Sequence, residues 1–187
     1  MKIKLTPKAI LIPTISLFLI CAVVTAVLAL TNNVTSEKIA ANEQASKEQS
    51  MQTVVPDAVT FEEIEQDVLY KGLDDSGSVV GYAISTAVQG YGGQVKVMTG
   101  IADDAIIGVD VYYNDDETPG LGKNTSNESF RSQYKGLKTD SEIHVSKDSA
   151  DGQTVDAVTS ATISSRAVTT AVNDAIEIYN HQVKEGA

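Results

Sequence analysis

The sequence predicts an α+β domain, a largely antiparallel sheet flanked by helices, preceded by one N-terminal transmembrane helix. Three observations support this. Residues 9–30 are apolar and uncharged, strand-like segments separated by Asp/Gly turns occupy residues 79–145, and an apolar stripe of helical period runs from Ile163 to Tyr179. We therefore divide the chain into a cytoplasmic N-terminus (1–8), a transmembrane helix (9–30), a helical stalk (31–55) and an extracytoplasmic domain (56–187).

The apolar run from Ala9 to Leu30 has the length of a membrane span. Its 22 residues would extend about 33 Å as a helix, enough for a bilayer core. A cleaved signal peptide is the alternative, because Lys2, Lys4 and Lys8 form a basic start, but the run exceeds the roughly 7–15 apolar residues of such peptides. The lysines place the N-terminus in the cytoplasm and the rest of the chain outside.

Composition excludes several classes of function. The chain has 14 basic and 25 acidic residues, and its first thirty residues hold three of the former and none of the latter. This acidity makes nucleic acid an unexpected partner. The single Cys21 and only two histidines predict neither a disulfide framework nor a His/Cys metal site. Any redox chemistry must then come from an organic cofactor.

Local patterns place the remaining elements. A helix is expected over 36–52, and hairpin turns over 74–77 and 102–104. A short helix over 127–134 should turn Phe130 and Tyr134 into the core. The predicted strands are 79–88, 94–98, 105–113 and 143–145.

The start of the last helix carries more hydroxyls than packing requires. Thr159, Ser160, Thr162 and Ser164 fall within six positions. A helix N-terminus offers free amide donors and a positive dipole, which suit a phosphate group. Capping alone is the alternative: the N-cap is expected within 159–162, and Thr159→Ala should then cost about 1 kcal/mol.

The segment Asp156-x-x-Thr159-Ser160-Ala161-Thr162 resembles the flavinylation motif of the membrane FMN-binding domain family. That family includes the G subunit of Rnf-type ion-translocating complexes and the C subunit of the sodium-pumping NADH:quinone reductase. Further family-like segments follow the same order along the chain: Gly90-Tyr91-Gly92-Gly93, Glu117-Thr118-Pro119-Gly120-Leu121-Gly122, Phe130-x-x-Gln133-Tyr134-Lys135-Gly136 and Thr162-Ile163-Ser164-Ser165-Arg166-Ala167-Val168.

The resemblance implies that Thr162 carries covalent FMN through a phosphoester, installed by a flavin transferase from FAD and magnesium. Asp156 would recognise that transferase or fix the turn before the helix. Two positions differ from the usual family residues: Asp115 stands where His is common, and Ser160 where Gly is common. The second change should be tolerated because Ser is also small. The other implied site residues are Glu117, Thr118, Gly120 and Leu121 beside the flavin, Tyr91 and Gly92 at a neighbouring strand entry, and Thr159, Ser160 and Ala161 within the motif.

In function, the chain resembles an electron-relay subunit of a membrane-bound, ion-translocating ferredoxin:NAD oxidoreductase. The implied partners are the other membrane subunits, the flavin transferase and membrane lipid, and the chain would hold no complete active site of its own. Two alternatives stay open: a free-standing extracytoplasmic flavoprotein that passes electrons to outside acceptors, and a flavin-free, membrane-anchored binding module.

Overall fold

The computed structural model describes residues 7–146 and 152–185. The chain forms two compact units, residues 1–42 and 43–187. Helix α1 runs from Pro7 to Val54 without interruption, so the predicted transmembrane and stalk helices are parts of one helix.

The first unit contains the apolar part of α1. Its large apolar side chains from Ile10 to Leu30 are 50–70% exposed. In the described chain, α1 is the one helix with a stretch long and apolar enough to cross a membrane. Lipid is the environment in which such a surface would be covered.

The second unit is built on a five-stranded antiparallel sheet in the order β1-β2-β3-β4-β5. The strands are β1 (Thr60–Glu65), β2 (Leu69–Leu73), β3 (Val79–Gln89), β4 (Gln94–Ala102) and β5 (Ala105–Tyr113). The last three confirm predicted strands. Sequence reasoning missed the first two because β1 is almost wholly exposed and β2 is only five residues long, so neither shows a clear alternation of apolar and polar residues.

One face of the sheet is covered by helix α3 (Thr162–Tyr179). From Ala167 to Tyr179 the predicted apolar stripe of this helix is buried, chiefly against β3 and β4, whereas Ile163 at its start is exposed. Thr86 of β3 also hydrogen-bonds to α3, since its Oγ1 donates to the Ala171 carbonyl at 2.9 Å. The helix that starts at the hydroxyl cluster is therefore anchored to the centre of the sheet.

The last residues of α1 cover the opposite face. Met51 and Val54, together with Val55 just after the helix, are buried there with Met98 of β4. A Cβ on Gly100 would lie 2.4 Å from the Val54 carbonyl oxygen, so only glycine lets this helix approach the sheet so closely. The second compact unit therefore includes the end of α1, from Glu43.

Short elements connect β5 to α3. They are a 3-10 helix (Gly122–Ser126), α2 (Glu128–Arg131), a second 3-10 helix (Ser132–Tyr134) and the strands β6 (Ile143–Val145) and β7 (Gln153–Val155), which pair in parallel. Phe130 and Tyr134 are buried, as predicted, and the Tyr134 hydroxyl lies 2.8 Å from Thr169 Oγ1 of α3. The α+β class and the largely antiparallel sheet are confirmed.

Candidate functional site

A cavity of about 580 Å³ opens at the N-terminal end of α3. Its volume lies within the range of about 300–1,000 Å³ typical of small-molecule sites. It unites three segments that lie far apart in sequence: the glycine loop, the loop after β5 and the hydroxyl cluster. The lining residues are Tyr91, Glu117, Thr118, Leu121, Gly122, Ser160, Ala161, Thr162, Ile163 and Ser164.

Ala161 is the N-cap residue of α3, and its side chain makes no capping hydrogen bond. The N-cap therefore lies within the predicted range 159–162, but the expected side-chain capping hydrogen bond is not made there. Ser165, inside the helix, instead holds the turn before it: its Oγ accepts from the Val158 amide at 3.0 Å and donates to the Ala161 carbonyl at 2.9 Å. A fully buried hydroxyl thus closes the turn that precedes the helix.

Because Ser165 closes that turn, the hydroxyls of Thr159, Ser160 and Thr162 are not used to hold it. Thr162, the first residue of α3, is half-buried and lines the cavity. Across residues 7–146 and 152–185, no hydrogen-bond partner is found for the side chains of Thr159, Ser160 or Thr162. A nucleophilic or phosphate-bearing role at Thr162 would therefore break no interaction within the described fold.

Glu117 is the charged group in the cavity wall, and only 2% of it is exposed. Its Oε1 accepts hydrogen bonds from the Tyr91 and Gly92 amides at 2.7 and 3.2 Å. Its Oε2 accepts from Ser164 Oγ at 2.7 Å. Three donors offset the burial of the carboxylate. Glu117 thereby ties the glycine loop and α3 to its own loop.

The neighbouring glycines make room for this arrangement. A Cβ on Gly90 would lie 2.2 Å from Glu117 Oε1, and one on Gly122 would lie 1.9 Å from Oε2. A Cβ on Gly92 would lie 1.9 Å from the Asp116 carbonyl oxygen. Gly92 is absent from the cavity lining, and its contribution to the site is its amide.

Ser160 adopts φ +62°, a left-handed backbone conformation that favours glycine. The expected tolerance of Ser at this position rests on its small size. In the structure the side chain of Ser160 is exposed, so its size is not restricted. The left-handed backbone conformation is what limits the choice of residue at this position.

A second cavity of about 700 Å³ adjoins the first and shares Leu121 and Ser160 with it. Gly120, Asp156 and Thr159 line this second cavity. Asp156 Oδ1 accepts from Ser146 Oγ at 2.8 Å. Asp115 lines neither cavity, and its mostly exposed carboxylate lies 3.3 Å from Lys123 Nζ.

Comparison with known proteins gives the family. Residues 90–177 match the FMN-binding domain model, and residues 1–54 match the RnfG N-terminal region model. The G subunit of the Na(+)-translocating ferredoxin:NAD(+) oxidoreductase complex of Acetobacterium woodii is 32% identical, with 98% of both chains covered. The chain belongs to the G-subunit family of Rnf-type complexes.

Other members of this family show similar relatedness. The G subunit of the proton-translocating ferredoxin:NAD(+) oxidoreductase complex of Clostridium ljungdahlii is 30% identical over 88% of this chain and 86% of that one. The G subunit of the ion-translocating oxidoreductase complex of Methanosarcina acetivorans is 32% identical over 90% and 93% of the two chains.

Solved structures agree on the fold of the FMN-binding domain. The C subunit of the Na(+)-translocating NADH-quinone reductase of Parabacteroides distasonis superposes with a TM-score of 0.50 at 26% identity, over 59% of each chain. Shewanella oneidensis NqrC gives a TM-score of 0.51 at 21% identity, over 71% of this chain and 74% of that one.

The cavity suits the cofactor named by this family. Tyr91, Leu121 and Ile163 line it and are 69%, 40% and 52% exposed, which leaves apolar surface for a planar aromatic ring. The first turn of α3 supplies free amide donors and a positive dipole end for a phosphate. The residues present therefore fit a phosphorylated flavin.

Proposed function

We propose that the chain is the electron-relay G subunit of a membrane-bound, ion-translocating ferredoxin:NAD oxidoreductase complex, with FMN attached covalently to Thr162. One observation carries the attachment site. Thr162, the last residue of the motif and the first of α3, presents a half-buried hydroxyl without a partner among the described residues to a cavity that suits a flavin, whereas Ser160 at the same cavity is exposed. Membership of the complex is supported by relatives named as the G subunit of such complexes, which match along almost the whole chain.

The attachment is a phosphoryl transfer in which the threonine oxygen is the nucleophile. Thr162 Oγ forms a bond to the flavin-side phosphorus of FAD, the pyrophosphate P–O bond breaks, AMP leaves, and the hydroxyl proton passes to a base of the transferase. Magnesium neutralises phosphate charge during such a transfer. No oxidant or reductant is consumed.

Once attached, FMN supplies electron transfer, and the protein supplies position and environment. Glu117 holds the glycine loop against the first turn of α3, which fixes the cavity wall. Tyr91, Leu121 and Ile163 provide its apolar surface. Covalent attachment suits an open cavity because a flavin that leaves the pocket stays tethered to the protein.

The proposed topology places the N-terminus in the cytoplasm and the FMN-binding domain outside. The three N-terminal lysines before the apolar run support this orientation. The exposed apolar side chains of α1 support contact with lipid and with the other membrane subunits. Modification would then occur outside the membrane, by a transferase that meets the folded domain.

Co-expression with a flavin transferase tests the attachment. We expect flavin fluorescence on the denatured wild-type chain, a mass increase on the peptide containing Thr162, and neither signal in Thr162→Ala. Thr159→Ala, which alters a neighbouring hydroxyl, is the matched control and should retain flavin. Fluorescence on denatured Thr162→Ala, or none on the wild type, would refute the proposed site.

Purification from the native membrane separates the complex from a free-standing flavoprotein. A tagged chain should bring down other membrane subunits in fixed ratio and support ferredoxin:NAD oxidoreduction. Recovery of the tagged chain alone, still flavinylated and able to reduce external acceptors, would favour the free-standing alternative.

A further inference from the structure

We propose that Gln133 is a positioning residue for the covalent modification of Thr162. This rests on the proposed function. Gln133 is absent from the lining of the cavity beside Thr162 and lines the adjoining second cavity together with Asp156. It acts through Asp156, whose backbone it holds at the point where the flavinylation motif begins.

The Gln133 carboxamide pairs with both backbone polar groups of Asp156. Gln133 Oε1 accepts from the Asp156 amide at 2.7 Å, and Gln133 Nε2 donates to the Asp156 carbonyl at 3.2 Å. Strand β7 ends one residue earlier, at Val155. The side chain therefore provides the two hydrogen bonds that a neighbouring strand would otherwise give to this residue.

The position of Gln133 is fixed by the residues around it. It lies in the 3-10 helix Ser132–Tyr134, and the next residue, Tyr134, is fully buried with its hydroxyl 2.8 Å from Thr169 Oγ1 of α3. Thr162 is the first residue of the same helix α3. Gln133 thus sets the start of the motif in register with the helix that carries the acceptor hydroxyl.

The other end of the segment is held by Ser165, which bonds Val158 and Ala161. Between the two attachments, Thr159 and Ser160 form an exposed apex. A transferase must bind this exposed segment and bring its flavin dinucleotide to the Thr162 oxygen. Fixing the segment beforehand reduces the ordering that must occur on binding and keeps the nucleophile in place.

A second glutamine in the same unit offers a control. Gln153 is half-buried, as Gln133 is, and its carboxamide also pairs with both polar groups of one backbone residue, with further bonds from Nε2 to the Ser141 carbonyl and Oγ. The Lys138 amide donates to Gln153 Oε1 at 2.6 Å, and Gln153 Nε2 donates to the Lys138 carbonyl at 2.8 Å. Lys138 and Ser141 lie outside the motif, so Gln153→Ala removes at least as many hydrogen bonds as Gln133→Ala while leaving the Gln133–Asp156 pair in place.

The test uses the whole chain in detergent, made without transferase and then treated with purified transferase, FAD and Mg²⁺. Covalent flavin is followed by fluorescence after denaturation and by intact mass. We expect Gln133→Ala to lower kcat/KM for modification roughly tenfold or more, and Gln153→Ala to leave it within about twofold of wild type. Gln133→Glu keeps the side-chain length but loses the donor to the Asp156 carbonyl, and should resemble Gln133→Ala.

Two further measurements distinguish a specific effect on the Asp156 backbone from a general loss of stability. Thermal unfolding should shift at least as much in Gln153→Ala as in Gln133→Ala, while hydrogen exchange at the Asp156 amide should accelerate only in Gln133→Ala. An unchanged rate in Gln133→Ala, or equal losses in both alanine variants, would overturn the proposal. A wild-type chain without flavin, or a modified Thr162→Ala, would instead refute the proposed function.

Discussion

Ser164 donates a hydrogen bond of 2.7 Å to Glu117 across 47 positions of sequence, and both residues are only 2% exposed. The bond joins the first turn of α3 to the loop after β5. The other Glu117 oxygen holds the Tyr91 and Gly92 amides. The Glu117 carboxylate therefore connects the three segments that line the candidate flavin cavity. Its removal should loosen all three segments together.

Glu117→Ala should lower the free energy of unfolding by about 2–4 kcal/mol, because it leaves buried donors without an acceptor and removes packed volume. Glu117→Gln should cost only about 1 kcal/mol, since its carbonyl can serve the two amides and its NH2 can donate to Ser164 Oγ. Urea denaturation of the detergent-solubilised chain measures both. Equal stability of the two variants would show that the hydrogen-bond network contributes little.

Ser165→Ala should destabilise the chain by about 1–2 kcal/mol, since it leaves the Val158 amide without its acceptor. Thr159→Ala should change stability by less than about 0.5 kcal/mol, because Thr159 is exposed and is not the N-cap. The same urea titration compares them. A loss for Thr159→Ala as large as that for Ser165→Ala would restore Thr159 as the capping residue.

Ser160→Gly should stabilise the chain by up to about 1 kcal/mol. Relief of the left-handed strain at φ +62° outweighs the extra freedom that glycine gains in the unfolded chain. Ser129→Gly, in the short helix α2, is the control and should be destabilising, because glycine is a poor helix former. A lower melting temperature for Ser160→Gly would indicate that the Ser160 side chain makes a stabilising interaction of its own.

Asp174→Asn should raise the melting temperature at pH 7. Burial, together with the charge of Glu177, raises the pKa of Asp174, so its ionised form is disfavoured in the folded state. That penalty is fully present above the folded pKa and vanishes below the unfolded one. The advantage of the variant should therefore shrink as the pH falls through this window.

Asp74 provides the opposite case. Hydrogen bonds from the Ser76 side chain and the Ser78 backbone lower its pKa, so it contributes stability that is present above the unfolded pKa and lost as pH falls through the folded one. Asp74→Asn should lower the melting temperature at pH 7, and the difference should close in acid. Parallel pH profiles for wild type and both variants would contradict these assignments.

The sequence by itself determined the features that depend on local pattern. An uncharged apolar run gives the apolar part of α1, alternation and turns give strands β3 to β6, and helical periodicity gives α3. The motif order also pointed to the family to which the chain belongs. Each of these patterns lies within one continuous segment of sequence, because buried positions recur at the period of the backbone along a single helix or strand.

Only the tertiary structure decided how distant polar groups meet. Glu117 faces the Tyr91 and Gly92 amides, Gln133 pairs with the Asp156 backbone, and Ser165 closes the turn before α3. Such hydrogen bonds depend on side-chain direction and on how whole elements pack together. Neither of these produces a repeating pattern of residues that can be recognised in the sequence. Thr162 was predicted from the motif, whereas the surroundings that fix its place were set by the fold.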